Sequence, residues 1–317
     1  MEADRRPAAM LFPGMAPTRF ADLGRFLLTN PIARDMVATA DERLGWPVLE
    51  RFRAADGDYS AAGQVAFLLS CLACASWAER ELGIETTFCA GASFGGKAAA
   101  VHSGALDLAD AIWMTAGLAR CMEEYFAAEH RDVVIHSFVR IGAGTLAEIT
   151  AELAARGEWS EVACHVDTEM YMLCLREHNL EWLERRVRAA GGLSLYTMRP
   201  PLHSPAFEGL RRLAAEQVLD RITFADPARP VISDRDGAVL SLGDEIRTLL
   251  LDSIVAPLDW PAVVASLRAQ GVRRVCVAGP DSLFGRVRVT TEAFEVIAAS
   301  PVAALRPRRA RAGRPAA

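Results

Sequence analysis

Residues Cys89-Ala90-Gly91-Ala92-Ser93-Phe94-Gly95-Gly96-Lys97 carry the pattern G-x-S-x-G, and an alanine-rich run from Ala98 to Val101 follows. Small residues on both sides of a serine suit a sharp strand-to-helix turn. Glycines at 91 and 95 let strand and helix pack closely, and the turn pushes the serine hydroxyl out at a helix N-terminus. Backbone N–H groups just after such a serine are free to hold an oxyanion. The competing reading of the same residues is an ordinary glycine-rich turn, and the rest of the chain decides between them.

The chain has 317 residues, enough for one large domain with a small one inserted, or for two domains. A hydrophobic content of 51% with 24% charged residues is that of a globular protein, and the net charge of −5 argues against non-specific nucleic-acid binding. No apolar run is read as a membrane span, and Met1-Glu2-Ala3-Asp4-Arg5-Arg6 is no signal peptide, so a cytoplasmic protein is expected. The seven cysteines are scattered and odd in number, which speaks against a disulfide framework. Cys71 and Cys74 form a C-x-x-C inside an apolar helical run and are read as core residues. Neither a metal nor a bound cofactor is expected. Lys97 stands alone among many arginines and is read as coding bias without mechanistic meaning.

Outward from the serine turn, Thr86 to Ala90 reads as the strand leading in, and Ala61 to Leu82 as a long apolar helix closed by Gly83. Residues 1–9 are expected to be loose, with a short buried strand at Met10-Leu11-Phe12 and a turn after it. Helices are predicted at Phe20 to Thr29, at Ile32 to Leu44 and, capped by Asp107, at Leu108 to Ala128. From Arg131 the rhythm changes. Strands and helices follow in the order βαββαβ up to Met198, a ferredoxin-like unit. The fold class expected is α/β: an α/β-hydrolase-like large subdomain with a parallel sheet, formed by residues 1–130 and 199–300, with a ferredoxin-like small subdomain inserted at 131–198. Residues 301–317 hold five arginines among Pro, Ala and Gly and read as a disordered basic tail.

A serine nucleophile needs a base, most often histidine. Of the six histidines, His102 lies nine residues past Ser93 on the following helix, too far along its axis to turn back. His130 and His178 fall in polar connections, and His136 and His165 lie on strands of the inserted unit. His203 follows Pro200-Pro201-Leu202 and precedes Ser204-Pro205, where the insertion returns to the large part. A histidine framed by prolines has little backbone freedom, which suits positioning. No third acid stands out: Asp167 has the right place in chain order but lies inside the insertion, and a backbone carbonyl could orient the imidazole equally well.

At this point the chain resembles the malonyl/acyl-CoA:acyl-carrier-protein transacylase family, over nearly its whole length. Leu11-Phe12-Pro13-Gly14-Met15 is similar to that family's F-P-G-Q-G segment, and Gln64 to a glutamine placed before an apolar helix. Gly91-Ala92-Ser93-Phe94-Gly95 is similar to G-H-S-x-G, and the run Ser103 to Ala111 to A-G-A-L-D-F-A-D-A. Leu202-His203-Ser204-Pro205 resembles F-H-S-P, Ala256 to Trp260 resembles N-P-V-x-W, and Ala278-Gly279-Pro280 resembles E-x-G-P. The resemblance implies ping-pong acyl transfer, with Ser93 as nucleophile and His203 as base. It further implies the N–H groups of Phe94 and Met15 as the oxyanion hole and the carbonyl of Ala256 as the imidazole's orienter. Gln64, Leu118 and Leu202 are then substrate-binding residues. The implied partners are an acyl thioester and an acyl carrier protein, whose phosphopantetheine arm (or CoA) carries the acyl group to a monomeric enzyme. Arg140, Arg199 and Arg286 are the implied contacts for the carrier's acidic helix.

The departures carry as much as the matches. In malonyl-type members an arginine on the helix after the nucleophile pairs with the substrate's free carboxylate, and counting from Ser93 that position is Leu118. Arg120 is two residues on, about 200° around a helix, and should face away. Ala92, Met15 and the Asp167-Thr168-Glu169 segment also depart from the family's pattern. These changes imply a discrete, trans-acting polyketide-pathway acyltransferase for a group without a free carboxylate, such as the aminoacyl or dipeptidyl groups that some relatives in macrolactam pathways carry. The competing readings are a malonyl transacylase and an acyl-carrier-protein thioester hydrolase of the same fold.

Overall fold

The computed structural model describes residues 7–55 and 59–306. The first half of the large part runs β1 (Ala8–Phe12), α1 (Phe20–Thr29), α2 (Pro31–Leu44), α3 (Val48–Ala54), α4 (Ala61–Trp77), β2 (Phe88–Gly91), α5 (Gly95–His102) and α6 (Leu108–Ala128). The next stretch contributes β3 (Val133–Val139), α7 (Ala143–Ala155), β4 (Ser160–Asp167), β5 (Met170–Arg176), α8 (Leu180–Ala189) and β6 (Leu193–Met198). The chain then returns through α9 (Glu208–Gln217), β7 (Val231–Ile232), β8 (Val239–Leu240), α10 (Gly243–Asp252), β9 (Leu258–Asp259) and α11 (Trp260–Ala269). It finishes with β10 (Arg274–Ala278), α12 (Arg288–Ala293), β11 (Glu295–Ala299) and α13 (Pro301–Ala304).

The larger sheet has the order β11-β10-β1-β2-β7-β8. All its pairs are parallel except the edge pair β7·β8, a mixed sheet whose parallel strands are covered by helices. The smaller sheet has the order β6-β3-β5-β4-β9, and its first four strands are antiparallel. This is the ferredoxin-like arrangement that the βαββαβ order predicts. β9, which comes from the returning chain, adds to it in parallel beside β4.

Alternation along the small sheet's strands explains how the two parts meet, because successive side chains point to opposite faces. Val134, Phe138, Tyr171, Leu173 and Leu175 pack with Leu146, Leu153, Leu183 and Val187 of α7 and α8. Val133, Ile135, Met170, Met172 and Cys174 face the other way and join the core of the large part. The two parts therefore share apolar surface, with a cleft between them.

Several sequence expectations need correction. Ala8 and Ala9 already belong to β1, whose pairing with β10 and β2 fixes them; the expected looseness of residues 1–6 lies outside the described residues. The tail does not begin at 301: Ser300 caps α13 by accepting from Ala303 N–H at 3.2 Å, and only residues 307–317 lie outside the described residues. Ala61–Leu82 is long and apolar enough to cross a membrane, contrary to the sequence reading, yet 89% of its apolar window is buried inside the protein. It is a core helix, ending in a π-helical turn closed by Gly83 at φ 67°. Cys71 and Cys74 lie on it, buried, and all seven cysteines are free thiols.

Candidate active site

The serine turn is set by sterics. A Cβ on Gly91 would collide with the backbone of Gly95, and a Cβ on Gly95 would collide with the carbonyl of Phe12. Glycine at both positions lets β2, β1 and α5 approach closely enough to make the turn. Ser93 itself sits at φ 50°, a left-handed conformation that costs a non-glycine residue on the order of 1–3 kcal/mol. The turn is held from outside: Ser93 N–H donates to Asp234 Oδ2 at 2.6 Å. Asp234 follows β7, is buried, and is pushed up to about 7 by desolvation, opposed by the Ser93 and its own backbone N–H groups and by Arg235.

His203 Nε2 lies 2.8 Å from Ser93 Oγ. Its other nitrogen, Nδ1, lies 3.2 Å from the carbonyl oxygen of Ala256. A carbonyl can only accept, so Nδ1 carries the proton and Nε2 is left as the acceptor facing the hydroxyl. The backbone also holds the ring in place: His203 is at φ 67° and its N–H donates to Ile254 O at 2.8 Å. Burial lowers its pKa to about 4, opposed by the Ala256 carbonyl, so the imidazole is neutral across the physiological range. The pair can therefore take a proton from serine and return it.

The other candidates have structural partners. Asp167 accepts from Arg288 N–H at 2.7 Å and from Thr168 N–H at 2.8 Å, capping α12 rather than meeting His203. Asp234, the buried acid at the site, meets the serine's backbone and leaves the imidazole to Ala256. His136 Nδ1 lies 2.8 Å from Thr197 Oγ1, and His165 stacks on Tyr171. His102 and His178 lie beside Glu79 and Glu158, and His130 packs on Phe207.

A cleft opens over Ser93 and His203, and its walls bring together residues from both parts. Met15, Gln64, Phe94, Leu118 and Leu202 all line it, as do Ile135 and Met198 of the small sheet. Leu118 is buried in the wall, whereas Arg120 is exposed on the far side of α6. Among the described residues no protein acceptor takes the backbone N–H of Met15 or Phe94. Arg140, Arg199 and Arg286 are exposed, and Arg199 is tied to Glu177 in an ion pair.

Two residues of the site were missed by sequence reasoning. Asp234 lies 141 residues from Ser93, in the turn that follows β7, where nothing in the neighbouring sequence ties it to the serine. Lys97, set aside as coding bias, lines the cleft with its Nζ 4.2 Å from the centre of the Phe94 ring. Burial lowers its pKa to about 7. Its spacing from Ser93, four residues along the start of a helix, was the available signal.

Residues 137–198 match the family model described as the VinK acyltransferase small domain. The malonyl CoA-acyl carrier protein transacylase of Escherichia coli strain K12 is 24% identical over 281 residues, covering 87% of this chain and 89% of that protein. Among solved structures, a complex of a type II polyketide synthase acyl-carrier protein with its malonyl-transacylase superposes with a TM-score of 0.80 at 21% identity. It covers 92% of this chain and 95% of that one. The acyltransferase domain from the second module of the salinomycin polyketide synthase gives 0.77 at 23% identity, covering 93% and 69% respectively.

Proposed function

As a member of the malonyl/acyl-CoA:acyl-carrier-protein transacylase family, the chain is an acyltransferase, and we propose that it moves an acyl group without a free carboxylate to or between acyl carrier proteins in a polyketide-type pathway of the cytoplasm. Ser93 Oγ attacks the thioester carbonyl as His203 Nε2 takes its proton. The developing oxyanion is met by the N–H groups of Phe94 and Met15. The C–S bond breaks, the thiolate takes the proton from His203, and the acyl group remains on Ser93 as an ester. An incoming phosphopantetheine thiol then gives its proton to His203, attacks the ester and leaves with the acyl group, restoring the serine hydroxyl. The carbonyl of Ala256 keeps the imidazole in the required tautomer throughout.

The observation that carries the acyl-group reading is Leu118 in the cleft wall, with Arg120 turned to the outside. A substrate carboxylate placed against Leu118 would be buried without a partner, at a cost of several kcal/mol. Lys97 is the one lysine or arginine on the cleft wall among the described residues, and burial disfavours its charged form, so it is a poor stand-in for a bidentate guanidinium. The acyltransferase solved with a carrier protein and the polyketide synthase domain support the carrier-protein and pathway parts of the reading. The deciding experiment mixes a neutral acyl-carrier protein with a second, holo carrier protein. Acyl transfer to the second carrier, lost in Ser93→Ala, is expected; release of free acid with no acylated acceptor would make the protein a hydrolase.

A further inference from the structure

His203 stands where the chain passes from the small sheet back to the large part, and both parts hold it. It sits at φ 67°, and a strained residue of this kind persists only where its surroundings over-determine it. From the large part, Ile254 O accepts from the N–H groups of His203 and Ser204, at 2.8 and 3.4 Å. From the small sheet, Cys174 Sγ of β5 donates to Leu202 O at 3.3 Å, and Glu161 Oε2 of β4 accepts from Ser204 Oγ. A thiol is a weak donor, so Glu161 is the strong hold on that side. Ser204 is fully buried, and its Oγ accepts from Ala206 N–H at 3.1 Å, which leaves the hydroxyl's own proton for Glu161. The other carboxylate oxygen, Oε1, accepts from Trp159 Nε1 at 3.4 Å, so the side chain is held at both ends of its fork. β4 also pairs Cys164 with Leu258 of β9, two residues past Ala256, whose carbonyl orients the imidazole. One strand of the small sheet therefore reaches the base from two sides.

We infer that Glu161 is a positioning residue for the reaction: through Ser204 it fixes the backbone of His203, so that Nδ1 stays on Ala256 O while Nε2 stays on Ser93 Oγ. The inference rests on His203 acting as the base for Ser93, and it makes the small subdomain part of the catalytic apparatus as well as a wall of the cleft. The imidazole is met at both nitrogens, at 2.8 Å by Ser93 Oγ and at 3.2 Å by Ala256 O, so a shift of the peptide between residues 203 and 204 cannot be absorbed without stretching one contact. A misplacement of about 1 Å costs on the order of a hundredfold in rate. Without Glu161 the buried Ser204 hydroxyl loses its acceptor, and the strained turn beside it loses its strong hold from β4. Glu161 is not among the residues that line the cleft, so its effect falls on the rate of the chemical step and leaves binding alone.

An alkyl fluorophosphonate tests this without reference to the acyl group. Ser93 Oγ attacks phosphorus as His203 Nε2 takes its proton, the P–O bond forms, the P–F bond breaks and fluoride leaves. Labelling of Ser93, followed by intact mass over a range of probe concentrations, gives a maximal rate and a half-saturating concentration. Glu161→Ala should lower the maximal rate about 10- to 100-fold and leave the half-saturating concentration within about threefold. Glu161→Gln, whose amide oxygen can still accept from Ser204, should label within about threefold of the unmodified protein. Ser204→Ala should match Glu161→Ala, and the double variant should be no slower than either, because all three remove the same bond. Circular dichroism checks the fold of each. Labelling of Glu161→Ala at the unmodified rate overturns the inference, as does a loss confined to the half-saturating concentration. Glu161→Gln as slow as Glu161→Ala, or losses that multiply in the double variant, overturn it too. If Glu161→Ala and Ser204→Ala both fail to fold, the bond is structural and the inference falls. No labelling of the unmodified protein removes His203 as the base and overturns the acyl-enzyme reading with it. Labelling without acyl transfer to any carrier protein counts against the proposed function alone.

Discussion

Replacing Asp234 by asparagine separates the acid's charge from its role as an acceptor. In the folded protein burial pushes this carboxyl from the ordinary 3.8 up to about 7. A carboxyl whose folded pKa is raised binds its proton more tightly in the native state than in the unfolded chain. Its contribution to stability is therefore whole below pH 3.8 and is lost as the pH rises through 7. The complete loss is on the order of 4 kcal/mol, at about 1.4 kcal/mol per pH interval, and about a third of it has been incurred by pH 5. Asp234→Asn cannot ionise and avoids the loss, while its side-chain oxygen still accepts from Ser93 N–H. At pH 5 the carboxyl is itself protonated and both proteins offer Ser93 N–H a neutral acceptor; at pH 8 the charge-assisted bond at 2.6 Å is already contained in the shifted pKa, so no further offset applies. The stability difference between Asp234→Asn and the unmodified protein, read by urea denaturation, should thus be larger at pH 8 than at pH 5 by about 2–3 kcal/mol. Equal differences at the two pH values would refute the burial argument. In the same preparations Asp234→Asn should load acyl groups within about tenfold of the unmodified protein. Asp234→Ala, which leaves the half-buried N–H of a strained residue without its acceptor, should lose about 1–3 kcal/mol of positioning, roughly 5- to 150-fold.

Other perturbations bear on the site directly. His203→Ala should slow loading by about two to four orders of magnitude without unfolding the protein. In the unmodified enzyme loading should hold through neutral pH and fail only as the imidazole protonates near pH 4, read from single-turnover rates with circular dichroism as the control. Leu118→Arg should raise malonyl loading at least about tenfold by giving the carboxylate a partner, checked by acyl-enzyme yield from malonyl-CoA. Charge reversal at Arg140 and Arg286 should slow transfer from a carrier protein about tenfold at low salt and little at high salt; at Arg199, already paired with Glu177, the same change should matter less.

Much of this was legible because it is local. Asp107 and a helical apolar period define α6 at both ends, and the glycines at 91 and 95 announce the close approach that makes the serine turn. The order βαββαβ is likewise enough to predict the small sheet's pairing. What escaped depends on long-range partners. β8 and β9 have two residues each, too few to show a period, and β9 exists only because β4 lies beside it. The apolar stretch from Pro205 to Leu219 is not one helix: a 3-10 turn at Pro205–Phe207 precedes α9, and Val218 at φ −125° interrupts the chain after it. Asp234 shows its role only once β7 brings it beneath Ser93. Lys97 sits in an alanine-rich run, where its four-residue spacing from Ser93 is the one local mark of a cleft-lining position.

The proposed activity stands or falls on whether the cleft handles a neutral acyl group on Ser93. The most direct measurement is single-turnover intact mass of the unmodified protein, offered in turn malonyl-CoA and a neutral acyl-carrier protein. The neutral donor should acylate Ser93 more than about a hundredfold faster, the equivalent of the roughly 3–5 kcal/mol of a missing buried ion pair. Fast malonyl loading, lost in Arg120→Ala or in Lys97→Met, would contradict it and identify the residue that supplies the missing charge.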